Sequence, residues 1–357
     1  MKIGILGGSG FIGTNTAIEA INRGYEVVAF DNLCRNEVEN NKRYMEEKYP
    51  DKYKFVWGDV RKAGDFDSIG KVDAIINFAA NPSVIRSIAE PIMDFETNTM
   101  GTLHGLEYAR KLGNIPFIYA STNKTFTDIS NEIDIHEEGD RLVWDKVKDT
   151  PYKDILLTGL DLDENGNVIA INDKFTIDGY GKYGHSNYGV SKMSGEMLCQ
   201  EYHLQYGIPF VAFKMSCIYG LFQKGVETQA WVDWFIRQIV CGDGKINIYG
   251  NGKQVRDVLD GRDTARAYLD ALENIDKVNG EIMTLGGGRE LAYSLLEVIH
   301  KIEDLTGKKA ELAFADKRPC DQDIYISSIT KVKSLLGWEP KISLEQSLQD
   351  MINEYRN

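Results

Sequence analysis

The chain is short of proline and cysteine, with 8 and 5 among 357 residues. So little proline argues against a fibrous or disordered chain. The cysteines, Cys34, Cys199, Cys217, Cys241 and Cys320, are scattered without a C-x-x-C pair, so neither a disulfide framework nor a zinc site is signalled, and a reducing cytoplasm fits. No apolar run approaches the roughly 18–20 residues of a membrane span, and no basic segment with a following apolar signal stretch opens the chain. Basic residues are also in deficit, 41 against 54 acidic ones, for a net charge of −13. Such a surface repels nucleic acid and anionic lipid, so an anionic ligand must be held by a few local Arg or Lys side chains.

What is there is a folding composition. Hydrophobic residues make up 43% of the chain, enough for a packed core, and the length suits two closely joined domains. Short β-rich runs at 2–6, 25–30, 53–57, 72–78 and 115–120 alternate with helical patterns such as 11–23 and 90–112. That rhythm predicts an α/β, Rossmann-like, doubly wound parallel sheet covered on both faces. From about 127 to 182 the chain turns polar and irregular, an expected insertion with one small hairpin around Asn165-Gly166. A helix over 187–206 and a buried strand over 209–214 are expected to complete the sheet. The expected division is a dinucleotide-binding domain over 1–217 and a smaller α/β substrate domain over 218–357.

Gly7-Gly8-Ser9-Gly10-Phe11-Ile12-Gly13 stands where the first strand turns into the first helix. Glycine there permits a tight turn and lets a pyrophosphate approach the free N–H groups of the helix. Asp31 ends the second strand at about the 20-residue separation of a ribose-binding acid and favours NAD over NADP, a preference that nearby Arg35 weakens. Asp59, followed by Val60, suits either an adenine amino group or a helix cap.

Tyr188 and Lys192 lie four apart on a predicted helix and so share a face. The same spacing at Tyr44/Lys48 and Tyr249/Lys253 shows that spacing alone means little; only Tyr188/Lys192 opens the helix after the fifth strand. A tyrosine near pKa 10 becomes a base at neutral pH if an ammonium about 4 Å away supplies roughly 4 kcal/mol. Lys192 is expected to lower the Tyr188 pKa in this way. Thr122, at the carboxyl edge of the fifth strand, is placed to hydrogen-bond a developing carbonyl.

Taken together, Gly7–Gly13, Asp31-Asn32-Leu33, Asp59, Phe78-Ala79-Ala80, Ser121-Thr122, Tyr188-x-x-x-Lys192 and Arg256-Asp257-Val258 resemble the extended short-chain dehydrogenases/reductases that act on nucleotide sugars, the NAD-dependent epimerase/dehydratase family. Four further blocks, Ser121–Lys124, Gln229–Phe235, Gly250–Val258 and Arg318–Ile326, resemble its members that invert C2 of a CDP-hexose. The resemblance implies a tightly held NAD regenerated at each turnover, with Thr122, Tyr188 and Lys192 catalytic. It further implies that Gly7, Gly10, Phe11, Ile12, Gly13, Asp31, Asn32, Arg35, Asp59, Val60, Phe78, Ala79, Ala80, Asn98 and Ser121 line the cofactor. Ser83, Asn123, Cys217, Gln229, Trp231, Arg256 and Arg318 are expected around the substrate, the two arginines on its diphosphate. Trp234 fits either that slot or the core. Dehydratases place an acidic pair after the catalytic threonine; Asn123 and Lys124 stand there instead. A 4-epimerase, another dehydrogenase or dehydratase with the same triad, and a non-catalytic nucleotide-binding scaffold are the rival readings. The family dimerises through helices resembling 90–112 and 187–206, so a homodimer or homotetramer is implied, with Leu103, Leu106, Met193 and Met197 either in that seam or in the core.

Overall fold

Strands such as Lys2–Leu6 and Phe210–Met215 are apolar on both faces, the pattern of a parallel sheet that helices cover twice. A computed structural model describes the chain except residues 36, 127–129, 131, 176–183, 319–320 and 357. Seven strands form one sheet in the order Glu281–Leu285, Phe210–Met215, Phe117–Thr122, Ala74–Asn77, Lys2–Leu6, Glu26–Asp31, Tyr53–Trp57. Every neighbouring pair is parallel. Strand order reverses between Lys2–Leu6 and Ala74–Asn77, which opens a crevice at their carboxyl ends.

The strand over 209–214 therefore does not complete the sheet. Glu281–Leu285, from the C-terminal part of the chain, pairs outside it, because a crossover through helix Gly261–Glu273 returns to the sheet. That helix and Phe11–Asn22 cover one face, where Ala17, Ala20, Ala267 and Ala271 are fully buried. Gly101–Lys111 and Ser186–Tyr206 cover the other with Leu106, Ala109 and Cys199. Leu106 thus belongs to the core and not to a seam, whereas Met197 is 61% exposed.

Helix Ser186–Tyr206 docks unusually close to Phe117–Thr122. A methyl group at Gly195 would stand 2.2 Å from the Tyr119 hydroxyl, which itself donates 3.1 Å to the Lys192 carbonyl. The expected helix over 90–112 is interrupted: Pro91–Phe95 leads into one widened π turn, Glu96–Met100, before Gly101–Lys111.

The segment expected to be irregular holds regular structure over its described residues. Besides the hairpin of Leu160–Leu162 and Val168–Ile171 at Asn165-Gly166, it holds a longer one of Ile133–Glu138 and Arg141–Val147 and a helix, Lys153–Thr158. Polar residues alternate outward while Leu142, Trp144 and Val147 turn inward, so the run reads polar although it builds a core. That core joins Phe126, Trp144, Leu156 and Phe175 to Val255, Ala292, Ile324 and Tyr325. A further core gathers helices Trp231–Val240, Leu295–Thr306 and Leu344–Arg356 over the strand pair Lys245–Tyr249 and Glu311–Ala315. Among the described residues no helix is long and apolar enough to cross a membrane. Trp144→Ala should cost about 3–5 kcal/mol, read as a lower urea midpoint with the far-ultraviolet dichroism of the folded protein retained.

Candidate active site

The glycine turn ends the first strand and starts helix Phe11–Asn22. Gly7 has φ +74°, and a methyl there would meet the Ala79 nitrogen at 2.8 Å; at Gly13 it would meet the Gly7 carbonyl at 2.2 Å. Those two glycines let backbone pack on backbone. Gly10 differs: the Gly7 carbonyl at 3.2 Å is the one neighbour a methyl would find. The helix that follows Gly10 has no side-chain cap and no acid in its first turn, so its N–H groups suit a phosphate. Phe78-Ala79-Ala80 runs along the other side of the crevice, with Phe78 against Tyr268 at 4.7 Å and the Ala79 N–H donating to Asn77.

Asp31 accepts the backbone N–H groups of Ser9 and Leu33 at 3.0 and 2.8 Å. Burial pushes its carboxyl up against those bonds. Asn32 accepts the Cys34 N–H, and Arg35 reaches Gln229 at 3.0 Å, so an expected cofactor residue and an expected substrate residue meet. Asp59 takes the Arg61 backbone N–H and guanidinium, which hold its carboxyl down at about 2. The Val60 carbonyl faces the His104 ring at 2.9 Å.

Thr122 ends the strand Phe117–Thr122, Tyr188 lies beside it in the first turn of helix Ser186–Tyr206, and Lys192 follows one turn further along that helix. Thr122 and Tyr188 are both nine-tenths or more buried, and the Thr122 side chain acts on the Tyr188 phenol. Lys192, 2% exposed, rests its ammonium 4.4 Å from the centre of the Tyr119 ring. The expected direction of the tyrosine shift is corrected: burial pushes Tyr188 up to about 12, and the Thr122 hydrogen bond only partly opposes it. Burial also draws Lys192 down to about 8, against the pull of Glu196. Both ionic forms lose water here, and that loss is the largest influence on each.

Around the triad lie residues that the sequence reading missed. Buried Asp94 accepts from Asn81 at 2.7 Å, from Asn98 at 3.2 Å and from Ser191 at 2.6 Å. Asn98 sits in the π turn and also receives the Asn81 N–H at 2.8 Å. Glu196, one turn past Lys192, is paired with Lys214 at 3.0 Å and takes the Ser121 hydroxyl. The sequence signals were a charge in the otherwise apolar run Phe210–Met215 and an acid four residues beyond Lys192.

On the substrate side, the Trp231 ring N–H donates to the Cys217 sulfur at 3.0 Å, and burial pushes that thiol up to about 11. Trp234 is half-buried against the C-terminal core. The Arg256 guanidinium is engaged by Asp321 and by the carbonyls of Gln322 and Val255, all at 2.6–2.7 Å. Asp321 also lies 3.9 Å from Lys124; despite burial, Arg256 and Lys124 keep its carboxyl low. Arg318 donates to the Glu227 carbonyl and stacks 4.0 Å over Tyr249. Ser83 caps helix Val84–Ala89, while Asn123 is buried beside Thr122 and accepts from its hydroxyl at 3.3 Å. Among the described residues no cluster of His, Cys, Asp or Glu suits a metal ion.

Comparison with known proteins agrees with this arrangement. The family model described as GDP-mannose 4,6 dehydratase matches residues 5–141 and 178–351. CDP-paratose 2-epimerase of Salmonella typhi is 32% identical over 98% of both chains, and UDP-glucose 4-epimerase of Bacillus subtilis 26% identical over 98% of this chain and 95% of its own. The solved UDP-glucose 4-epimerase of Thermotoga maritima with UDP-glucose is 28% identical, covers 100% of this chain and 99% of that one, and has a TM-score of 0.75. The UDP-glucuronic acid 4-epimerase of Bacillus cereus, solved with its substrate and NAD, shares the fold at a TM-score of 0.79, with 24% identity over 100% and 99% of the two chains. With the glycine turn, the triad and these matches together, the chain is an enzyme belonging to the NAD-dependent epimerase/dehydratase family.

Proposed function

We propose that the enzyme inverts one carbon of a nucleotide sugar, C2 of a CDP-hexose, through a transient ketone. The observation that supports this reading is Tyr188 lying beside Thr122 at the carboxyl end of Phe117–Thr122, with Lys192 one turn further along the same helix. NAD is the cofactor, supplying a hydride acceptor that later returns the hydride to the sugar. The bare helix start at Gly10 is suited to its diphosphate and Asp31 to its ribose. Tyr188 takes the sugar hydroxyl proton and later gives it back. Thr122, beside Tyr188, orients that hydroxyl. Lys192 contributes the positive charge that a tyrosinate needs; burial holds the phenol near 12, and a positively charged nicotinamide, when bound, would add to the pull of Lys192. Epimerisation requires the ketone to present its other face before hydride returns, so the nucleotide must stay gripped while the ring turns. Arg318 and the Cys217–Trp231 pair are assigned to that grip, as is Arg256, whose hold on Asp321 leaves it a fixed charge.

The choice of C2 and of cytidine rests on the greater identity to the CDP-paratose enzyme than to the 4-epimerases, and on the four blocks around Lys124, Trp231, Arg256 and Arg318. A UDP-sugar 4-epimerase is the second reading, favoured by the solved relatives. Dehydration is disfavoured because Asn123 and Lys124 supply no acid beside Thr122. A cytoplasmic homo-oligomer is part of the same reading, supported by exposed Ile92, Met197 and Leu204 on the helices expected at its seam.

Tyr188→Phe should retain bound NAD on denaturation and mass spectrometry, yet lose about 10²-fold or more in turnover; full turnover would refute the assignment. With CDP-hexose deuterated separately at C2 and C4, deuterium should pass to the cofactor from C2 alone. Transfer from C4 would establish the second reading.

A further inference from the structure

The proposed reaction leaves one buried carboxyl group without a role. Asp94, on helix Pro91–Phe95, is fully buried, where an unanswered carboxylate would be strongly unfavourable. Three donors answer it. One oxygen takes the side-chain amides of Asn81 at 2.7 Å and Asn98 at 3.2 Å, and the other takes the Ser191 hydroxyl at 2.6 Å. The donors come from three places in the chain. Asn81 follows Phe78-Ala79-Ala80 on the lip of the crevice, Asn98 sits in the π turn, and Ser191 lies between Tyr188 and Lys192 on helix Ser186–Tyr206.

The contacts close on Ser191 from two sides. Its hydroxyl, besides bonding Asp94, receives the Asn98 amide at 2.9 Å, and its carbonyl receives the Thr99 hydroxyl at 3.0 Å. Ser191 is itself fully buried. Asn98 is held in turn by Asn81, whose N–H it accepts at 2.8 Å and whose carbonyl it meets at 3.3 Å. Asp94 is the point on which Asn81, Asn98 and Ser191 meet. A carboxylate suits that place because it accepts at both oxygens and donates nothing. The lip borders the crevice assigned to the cofactor, and the helix carries Tyr188, so the height of one against the other bears on hydride and proton transfer alike. A misplacement of about 1 Å there lowers a rate by about 10²-fold.

We propose that Asp94 is a positioning residue of the reaction, locking the helix that carries Tyr188 and Lys192 to the crevice lip through Ser191 and Asn81. The inference rests on the proposed oxidation and re-reduction, and adds to it a residue too deeply buried to touch sugar or cofactor.

The test uses the full chain with the dinucleotide it carries. Asp94→Ala should leave bound NAD and the KM for the nucleotide sugar unchanged while kcat falls by about tenfold or more. The Asn81 N–H, whose acceptor on Asn98 is no longer fixed, should exchange with deuterium about tenfold faster, with or without substrate. Asp94→Asn keeps an oxygen for the two amides, and its NH2 can donate to Ser191 once that hydroxyl turns to the Tyr188 carbonyl 3.0 Å away. That variant should therefore recover most of kcat. A parent-like kcat or Asn81 exchange rate in Asp94→Ala, or a loss carried by KM or by NAD content, overturns the proposal. A loss in Asp94→Asn as deep as in Asp94→Ala also overturns it, because the negative charge and not the hydrogen bonds would then be what matters. Should Asp94→Ala fail to fold, Ser191→Ala removes only the link to the helix; kcat must fall there with KM unchanged, and a parent-like kcat overturns the proposal. Absence of turnover in the parent protein would refute the proposed reaction and leave the Asn81 exchange rate to decide the role of Asp94.

Discussion

The active site depends on how near one helix comes to one strand. Because residue 195 is glycine, helix Ser186–Tyr206 settles onto Tyr119, whose hydroxyl bonds the Lys192 carbonyl and whose ring lies under the Lys192 ammonium. That contact sets the height of Tyr188 above the end of the strand, and so brings it within reach of Thr122. Distances of a few tenths of an ångström matter here, since proton transfer requires hydrogen-bond geometry. The close fit also expels water, which is why both the phenol and the ammonium lie far from their solution behaviour.

The rest of the sheet serves the same place. Reversal of strand order beside Lys2–Leu6 puts the glycine turn and Phe78–Ala80 on opposite lips of one crevice. Thr122 ends the next strand along, with Tyr188 and Lys192 on the helix that packs against it. The insertion and the C-terminal strands share a core with Phe126, four residues after Thr122, so that part of the chain is anchored close to the candidate site. Lys124 completes the connection, lying 3.5 Å from Gln322 and 3.9 Å from Asp321.

Much of this was legible in the residues, and the failures have physical causes. Continuous apolar runs marked Lys2–Leu6, Glu26–Asp31, Ala74–Asn77 and Phe117–Thr122 because both their faces are buried, and glycines at 7 and 13 marked the turn because a side chain there would strike backbone. The seventh strand was missed since Glu281–Leu285 follows a helix at the far end of the chain, and parallel pairing has no local signature. Trp144 and its neighbours were hidden by the polar faces of a two-sided hairpin. The tyrosine shift was misjudged because sequence reveals the nearby ammonium but not the depth of burial. Asp94, Ser191 and Glu196 become meaningful only when distant segments meet, for example Asp94 with Ser191 across 97 positions.

The return of the chain to add Glu281–Leu285 bears on how it can be cut. A fragment ending near residue 217 would keep the glycine turn and the triad, yet Phe210–Met215 would become a bare edge: five of its six residues are fully or almost fully buried in the intact protein. An apolar edge of that length, with its backbone N–H and C=O groups unanswered, is a template for another copy to pair with. The first 217 residues are thus not a separable module, since the edge of their sheet is covered by a strand that the chain makes only about 65 residues later.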